Sequence, residues 1–144
     1  MTGLFYSQEE SFGTTVDAFI QRATSPESAE WDALECGDDV LTYVELLQVA
    51  KGIALEIQDT CNGEKKPTVA IVSENHPYVF AVIFATWMLG GIVAPLDAHA
   101  PEPLLQGMLR NAEPSCVVLQ SSNEKNVRLV GGICTSYQRN HSPD

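Results

Sequence analysis

Residues 68–119 decide the fold of this chain and read TVAIVSENHPYVFAVIFATWMLGGIVAPLDAHAPEPLLQGMLRNAEPSCVVL. Three short apolar runs, at 68–73, 92–96 and 115–119, are typical of strands that are buried on both faces of a parallel sheet. The two segments between them have the length and pattern of helices. The order β–α–β–α–β, with short connections, predicts an α/β fold with a Rossmann-like parallel sheet.

The ends of these two helices are marked by residues with strong positional preferences. Asn75 is a candidate N-cap for the first helix and Pro77 lies near its first position. Gly90 and Gly91 predict its end. Pro101 and Pro103 open the second helix, and its predicted apolar stripe consists of Leu104, Leu105, Met108, Leu109 and Ala112.

Upstream of the sheet, the spacing of apolar residues predicts a short amphipathic helix over Thr15–Arg22. A small hairpin follows, because 30–35 alternates and 37–39 is a turn signal before Val40. Thr42 and Glu45 form a capping box, which predicts a long helix from Thr42 to about Asp59. Its apolar stripe consists of Leu46, Leu47, Ala50, Ile53, Ala54 and Ile57.

Composition places the chain among acidic globular domains. It has 144 residues, 44% of them hydrophobic, and a formal net charge of −11. Such a chain can bury a core, whereas a nucleic-acid partner is excluded because Lys and Arg are too few to neutralise phosphates. Residues 1–60 hold 12 of the 19 acidic residues, so we expect them to form a solvated outer layer around a near-neutral centre.

The sequence predicts a cytoplasmic protein without a membrane span. The four cysteines form no CxxC pair, and the first ten residues lack the features of a secretory signal. Residues 79–96 carry no charge and reach the length of a membrane helix. Gly90, Gly91 and Pro95 interrupt that run, however, and favour a buried helix followed by a strand.

Polar residues follow the predicted strands at the sheet edge where α/β proteins bind ligands. They are Ser73, Glu74 and His76 after the first strand, and Asp97 and His99 after the second. A hydrolase triad or a zinc site would need further members, and neither a G-x-S-x-G motif nor a glycine-rich phosphate loop is present. We therefore interpret both histidines as structural or solvated, and Asp97 as a turn or cap residue.

The motifs, taken in order, resemble the N-terminal part of the adenylate-forming superfamily of AMP-binding enzymes. Members include acyl-CoA synthetases, aryl-CoA ligases and peptide-synthetase adenylation domains. The resemblance covers residues 12–120 and rests mainly on 41–46 (LTYVEL), 69–75 (VAIVSEN), 85–97 (ATWMLGGIVAPLD) and 113–116 (EPSC). Each motif is weak alone, and the four in order are specific.

The resemblance implies a two-step ligase reaction. A carboxylate and ATP give an acyl-adenylate and pyrophosphate, and a thiol then takes the acyl group, so that ATP, Mg and CoA are implied for the full-length family. The family's phosphate loop and catalytic lysine are expected later than the matching segments. No catalytic, cofactor-binding or metal-binding residue is therefore carried over. The carried-over residues are structural: Thr42, Tyr43, Glu45, Leu46, Gly90, Gly91, Pro95, Leu96 and Asp97.

We expect an incomplete AMP-binding domain over 1–120 and a polar, poorly ordered tail over 121–144. The chain is then an N-terminal fragment of an acyl- or aryl-CoA synthetase-like ligase, a truncated product that is inactive alone. Its predicted helices 77–89 and 101–112 would expose apolar surface through which the chain could associate. Two alternatives stay open: a short non-enzymatic partner-binding α/β protein, and a small independent nucleotide-binding domain.

Overall fold

A computed structural model describes residues 14–120 and 133–137, the last five and Gln120 by their backbone alone. The chain begins with a helix, continues through a hairpin and a long helix, and then alternates strands with helices. The helices are α1 (Thr15–Thr24), α2 (Tyr43–Thr60), α3 (Pro77–Met88) and α4 (Glu102–Ala112). The strands are β1 (Asp32–Cys36), β2 (Asp39–Thr42), β3 (Thr68–Val72), β4 (Ile92–Leu96), β5 (Cys116–Gln120) and β6 (Ile133–Tyr137).

The main sheet has the order β4-β3-β5-β6, and every neighbouring pair in it is parallel. The predicted Rossmann-like β–α–β–α–β unit is therefore confirmed over β3 to β5. The fourth strand of this sheet, β6, was not predicted from the sequence. The division of the chain at residue 120 stays a prediction.

The core has two layers, one on each face of the sheet. Alternate side chains of β3 enter the two layers, because successive residues of a strand point to opposite faces. Val69 and Ile71 pack with α1, α2 and α3 on one face. Ala70 and Val72 pack with Leu105 and Leu109 of α4 on the other face. The continuous apolar run of β3 is thus explained by burial on both sides.

Two of the helices begin with a reciprocal capping box. At the start of α2, the backbone N–H of Glu45 donates to the Thr42 hydroxyl at 3.3 Å, and the Glu45 carboxylate accepts from the Thr42 N–H at 2.9 Å. This confirms the predicted box. Thr14 and Asp17 form an equivalent box at the start of α1.

The start of α3 differs from the prediction at one position. The N-cap is His76 and not Asn75, because the imidazole Nδ1 accepts the backbone N–H of Tyr78 at 3.3 Å. Pro77 occupies the first turn as expected. An imidazole nitrogen can thus satisfy a free helix donor that an asparagine oxygen usually satisfies.

The apolar helix α3 is 12 residues long. No helix in the described part of the chain is long and apolar enough to cross a membrane. Ala81, Val82 and Ala85 are buried against the sheet, whereas Phe80 and Trp87 stay 48% and 40% exposed. The helix therefore packs in the core on one side and exposes apolar side chains to solvent on the other.

The predicted apolar stripe of α4 is only partly correct. Leu105 and Leu109 are buried, but Leu104 is 53% exposed. In the helical projection Leu104 lies about 100° from Leu105, so that both cannot face the same narrow contact with the sheet.

Candidate functional site

The carboxyl ends of β3 and β4 meet at one edge of the sheet. β4 pairs with one side of β3, and β5, the next strand in the chain, pairs with the other side of β3. In open α/β sheets, ligands bind at such a reversal of strand order, beyond the carboxyl ends of the strands. The loops 73–76 and 97–101 therefore line the candidate site.

His76 links this edge to the hairpin. Its Nδ1 caps α3, which leaves the proton of the neutral ring on Nε2. That nitrogen lies 3.9 Å from the Asp39 carboxylate at the start of β2, and the ring stacks on Tyr78 with a centroid distance of 5.1 Å. Both ring nitrogens thus face groups of the chain itself, which agrees with a structural role for His76.

His99 and Glu74 join the two loops across the edge. The His99 Nε2 lies 3.1 Å from the Glu74 carboxylate, and both side chains are more than half exposed. Asp97 holds the second loop, since its carboxylate accepts the backbone N–H of His99 at 2.8 Å. Asp97 is therefore the turn residue that the sequence predicts. The exposed pair of His99 and Glu74 contributes about 0–1 kcal/mol to the free energy of unfolding.

The polar residues predicted at this edge therefore form two separate links, His76 with Asp39 and His99 with Glu74. The hydroxyl of Ser73 donates to the carbonyl of Glu74 at 2.8 Å. Within residues 14–120, no group of three His, Cys, Asp or Glu side chains could hold a metal ion. These contacts join the two loops at this edge to each other and one of them to the hairpin.

The residues carried over from the family resemblance lie at three places. Thr42, Tyr43, Glu45 and Leu46 form the first turn of α2, where Leu46 is buried. Gly90 and Gly91 end α3 at the amino edge of the sheet, opposite the candidate site. Gly90 adopts a φ of 70°, which confirms it as a helix stop.

Pro95, Leu96 and Asp97 continue along β4 to the carboxyl edge. Pro95 pairs in register with Ile71. It is tolerated because β4 is the edge strand of the described sheet, where a missing N–H interrupts no second ladder. Leu96 packs against the layer that contains α4. Asp97 directly follows β4 and therefore lies at the candidate site.

A second group of residues was not recognised from the sequence. Cys61 packs against the buried cluster that contains Cys116, and burial raises the pKa of the Cys116 thiol to about 12. Burial is also the largest cause of the raised pKa of Cys61, and the nearby Glu64 carboxylate adds to it. Cys36 is exposed. The spacing of Cys61 and Cys116 carries no signal, because only the fold brings them together.

The parallel sheet with a helical layer on each face defines an α/β architecture. A sequence model of the family described as AMP-binding enzyme matches residues 21–141. This chain belongs to the AMP-binding enzyme family.

Curated relatives are much longer proteins. Hispidin synthase of Neonothopanus nambi is 41% identical over 117 residues, which are 81% of this chain and 7% of that protein. Malpinin synthetase of Mortierella alpina is 34% identical over 97 residues, or 65% of this chain and 1% of that protein. The chain thus spans a small share of the length of the curated relatives that it matches.

Solved structures show the same fold. The N-terminal subdomain of Klebsiella oxytoca NpsA, in complex with 3-hydroxyanthranilyl-AMSN, superposes with a TM-score of 0.72 at 20% identity, over 85% of this chain and 30% of that one. The nonribosomal peptide synthetase FmoA3, bound to α-methyl-L-serine-AMP, gives a TM-score of 0.75 at 23% identity, over 84% of this chain and 14% of that one. The fold is that of part of an adenylation N-terminal subdomain.

Proposed function

We propose that this chain is the first part of an acid-activating domain, in which a carboxylate and ATP give an acyl-adenylate and pyrophosphate. The observation that carries the proposal is the superposition of 84–85% of this chain on the N-terminal subdomain of NpsA and on the nonribosomal peptide synthetase FmoA3. The family membership and the likeness to hispidin synthase support it.

We propose that the described residues do not by themselves form a site for ATP and Mg. Their carboxylates and histidines are spread over separate links, and no set of three converges in 14–120. We therefore assign no step of the reaction to a residue of this chain. Its proposed role is to build the sheet edge against which the rest of the domain assembles, and we propose that the chain alone does not adenylate.

The acceptor of the acyl group is proposed to be a thiol. The sequence of residues 85–97 favours CoA, as in acyl- and aryl-CoA ligases. A carrier-bound thiol is the competing acceptor, because one matching structure is described as an adenylation–PCP di-domain of NpsA fused to ThdA. The cytoplasm is the proposed compartment.

A graft tests the proposal. Residues 14–120 of this chain replace the aligned segment of hispidin synthase, and carboxylate-dependent exchange of pyrophosphate into ATP is measured for the parent, the graft and the 144-residue chain. We expect exchange by the parent and the graft, and none above blank by the chain alone.

A graft that folds but gives no exchange would contradict the proposed function. Exchange by the 144-residue chain would show that its residues bind ATP directly and would contradict the scaffold role. Offering the active graft CoA or a carrier protein as acceptor then identifies the thiol. The matched control is a graft carrying Leu55→Gln, a change at an exposed position of α2, which should leave exchange unchanged.

A further inference from the structure

A cleft lies at the end of α1, apart from the candidate site. Its volume is about 400 Å³, which is within the range of clefts that bind drug-sized ligands. One wall is the last two turns of α1, and the other is the loop that leads from α1 to β1. The residues that line it belong to neither of the loops 73–76 and 97–101, so the cleft is a second, separate place for a ligand.

Hydrogen bonds hold the two walls of the cleft in place. The Ser28 hydroxyl donates to the Arg22 carbonyl at 2.7 Å, which ties the loop to the last turn of α1. The loop is also tied to the start of α2, because the Tyr43 N–H donates to the Trp31 carbonyl at 3.0 Å. Since the walls are already fixed in the folded chain, a ligand that enters the cleft loses little affinity to the ordering of the protein.

Arg22 and Trp31 place a cation and an aromatic ring side by side in this cleft. The guanidinium carbon of Arg22 lies 5.3 Å from the centre of the Trp31 ring, which is the distance of a cation–π contact. Trp31 is 54% exposed, so it keeps surface that a ligand can cover. Among residues 14–120, Arg22 forms no ion pair. A stacked guanidinium presents its N–H groups at its edge, where a carboxylate can accept two hydrogen bonds.

The other polar groups of the cleft favour a peptide over a simple anion. The Gln21 amide and the Ser25 hydroxyl each offer both a donor and an acceptor, which are the groups that a peptide backbone needs. Glu27 lies in the same lining and repels further negative charge on a ligand. The chemistry that fits this set is a single carboxylate beside an aromatic ring, carried on a peptide backbone.

We propose that this cleft binds an extended peptide segment in which one acidic residue stands next to an aromatic residue. The acidic side chain pairs with Arg22, the neighbouring ring packs on Trp31, and Gln21 hydrogen-bonds the peptide backbone. Glu27 restricts the segment to one negative charge at this point. The contact depends on one exposed charge pair, so that added salt weakens it. This binding site is independent of the proposed acid activation.

The test uses the full chain with Trp87→Phe, in which Trp31 is the remaining one of two tryptophans. Its fluorescence is titrated with the probe peptide acetyl-Gly-Phe-Glu-Gly-amide. We expect a saturable change in the Trp31 emission. The matched peptide with Gln in place of Glu should bind about tenfold more weakly, because it lacks the charge that pairs with Arg22.

Two substitutions in the cleft should change the affinity in opposite directions. Arg22→Gln should weaken binding of the Glu peptide about tenfold, because it removes the cation. Glu27→Gln should strengthen binding about two- to threefold, because it removes a repelling carboxylate. Leu55→Gln, at an exposed position of α2 outside the cleft, is the matched control and should leave the affinity unchanged.

Three results would overturn the proposal: the emission does not saturate with the Glu peptide, the Glu and Gln peptides bind equally, or Arg22→Gln leaves the affinity unchanged. Equal affinity for phenylacetate would show that the cleft takes a small aromatic acid and would overturn the assignment to a peptide. Circular dichroism establishes that each variant is folded. If Trp87→Phe is not folded, calorimetric titration of the wild-type chain with the same peptides decides between these results.

Discussion

Gly91 lies so close to the carbonyl oxygen of Pro67 that a side chain at position 91 has no room. The same oxygen accepts the backbone N–H of Ile92 at 2.9 Å, and Thr86 of α3 closes the other side of the glycine. The end of α3, the start of β4 and the residue before β3 thus meet at one point. Only a residue without a Cβ allows that close approach.

Replacing Gly91 by Ala should therefore lower the free energy of unfolding by about 1–3 kcal/mol, since the new methyl group forces the backbone apart. Urea unfolding followed by circular dichroism measures the change. Gly52→Ala is the matched control: it lies in α2 with open space around its Cα, so the same substitution should stabilise by about 0.5–1 kcal/mol. Equal stabilities for both variants would contradict the packing account.

The capping box of α2 gives a second prediction. Thr42→Ala removes the acceptor of the Glu45 N–H and should cost about 1 kcal/mol of unfolding free energy. Thr42→Ser keeps a hydroxyl and should retain most of that stability. If the serine variant loses as much as the alanine variant, then the methyl group of Thr42 and not its hydroxyl carries the effect.

The start of α1 should respond to acid. The hydrogen bond from the Thr14 backbone, followed by that from its side chain, lowers the pKa of Asp17 below its ordinary value of 3.8. The stabilisation is therefore complete above the unfolded pKa and is lost as the pH falls through the folded one. Asp17→Asn should be less stable than wild type at about pH 6 and should lose less on acidification to about pH 3.

Thermal unfolding at both pH values measures this difference between wild type and variant. Glu35→Gln is the control, because it removes a carboxylate at an exposed position of β1. Parallel acid curves for wild type and Asp17→Asn would show that the capping carboxylate does not contribute to the pH dependence.

The described cysteines should react with iodoacetamide in a fixed order. Cys36 is exposed and should be alkylated first, Cys61 should follow slowly, and Cys116 should stay unmodified while the chain is folded. The pKa of about 12 for Cys116 reinforces this order, since the thiolate is the nucleophile. Peptide mapping over time measures it, with urea-unfolded protein as the control in which the three rates converge.

The open side of α3 should promote self-association. Phe80 and Trp87 are exposed, and Trp87 packs edge-to-face on Phe84 with a centroid distance of 5.9 Å, which makes the patch continuous. The double variant Phe80→Gln/Trp87→Gln should raise the monomer fraction in sedimentation velocity. Leu55→Gln, at a 68% exposed position of α2, is the control and should change it less. Equal effects would show that total hydrophobicity, and not this patch, drives association.

Local signals in the sequence predicted most of the fold. The buried run of β3, the capping box of Thr42 and the stop at Gly90 each depend on neighbouring residues, so that each could be recognised without the rest of the structure. The parallel order followed from the alternation of strands and helices. Periodicity alone did not indicate the family. The family was predicted from the resemblance of the motifs, and the match to residues 21–141 confirms it.

The remaining features depend on contacts between distant residues. His76 lies 3.9 Å from Asp39 of the hairpin, a contact that the residues around His76 do not indicate. β6 gains its backbone partners from β5, and its own sequence is too short and mixed to predict a strand. The burial of Cys116 likewise depends on the position of β5 in the sheet. At the candidate site, the residues were predicted, but their pairing into His76–Asp39 and His99–Glu74 was not.

The position of β3 between β4 and β5 also sets the order in which the chain can be completed during synthesis. β4 follows β3 after a single helix and can pair with it early. The opposite edge of β3 then stays without a partner until β5 has left the ribosome. During that interval an apolar strand presents open backbone groups, which are a template for pairing with other chains. The interval between the emergence of Leu96 and that of Leu119 is therefore the stage at which a chaperone would protect the nascent chain most.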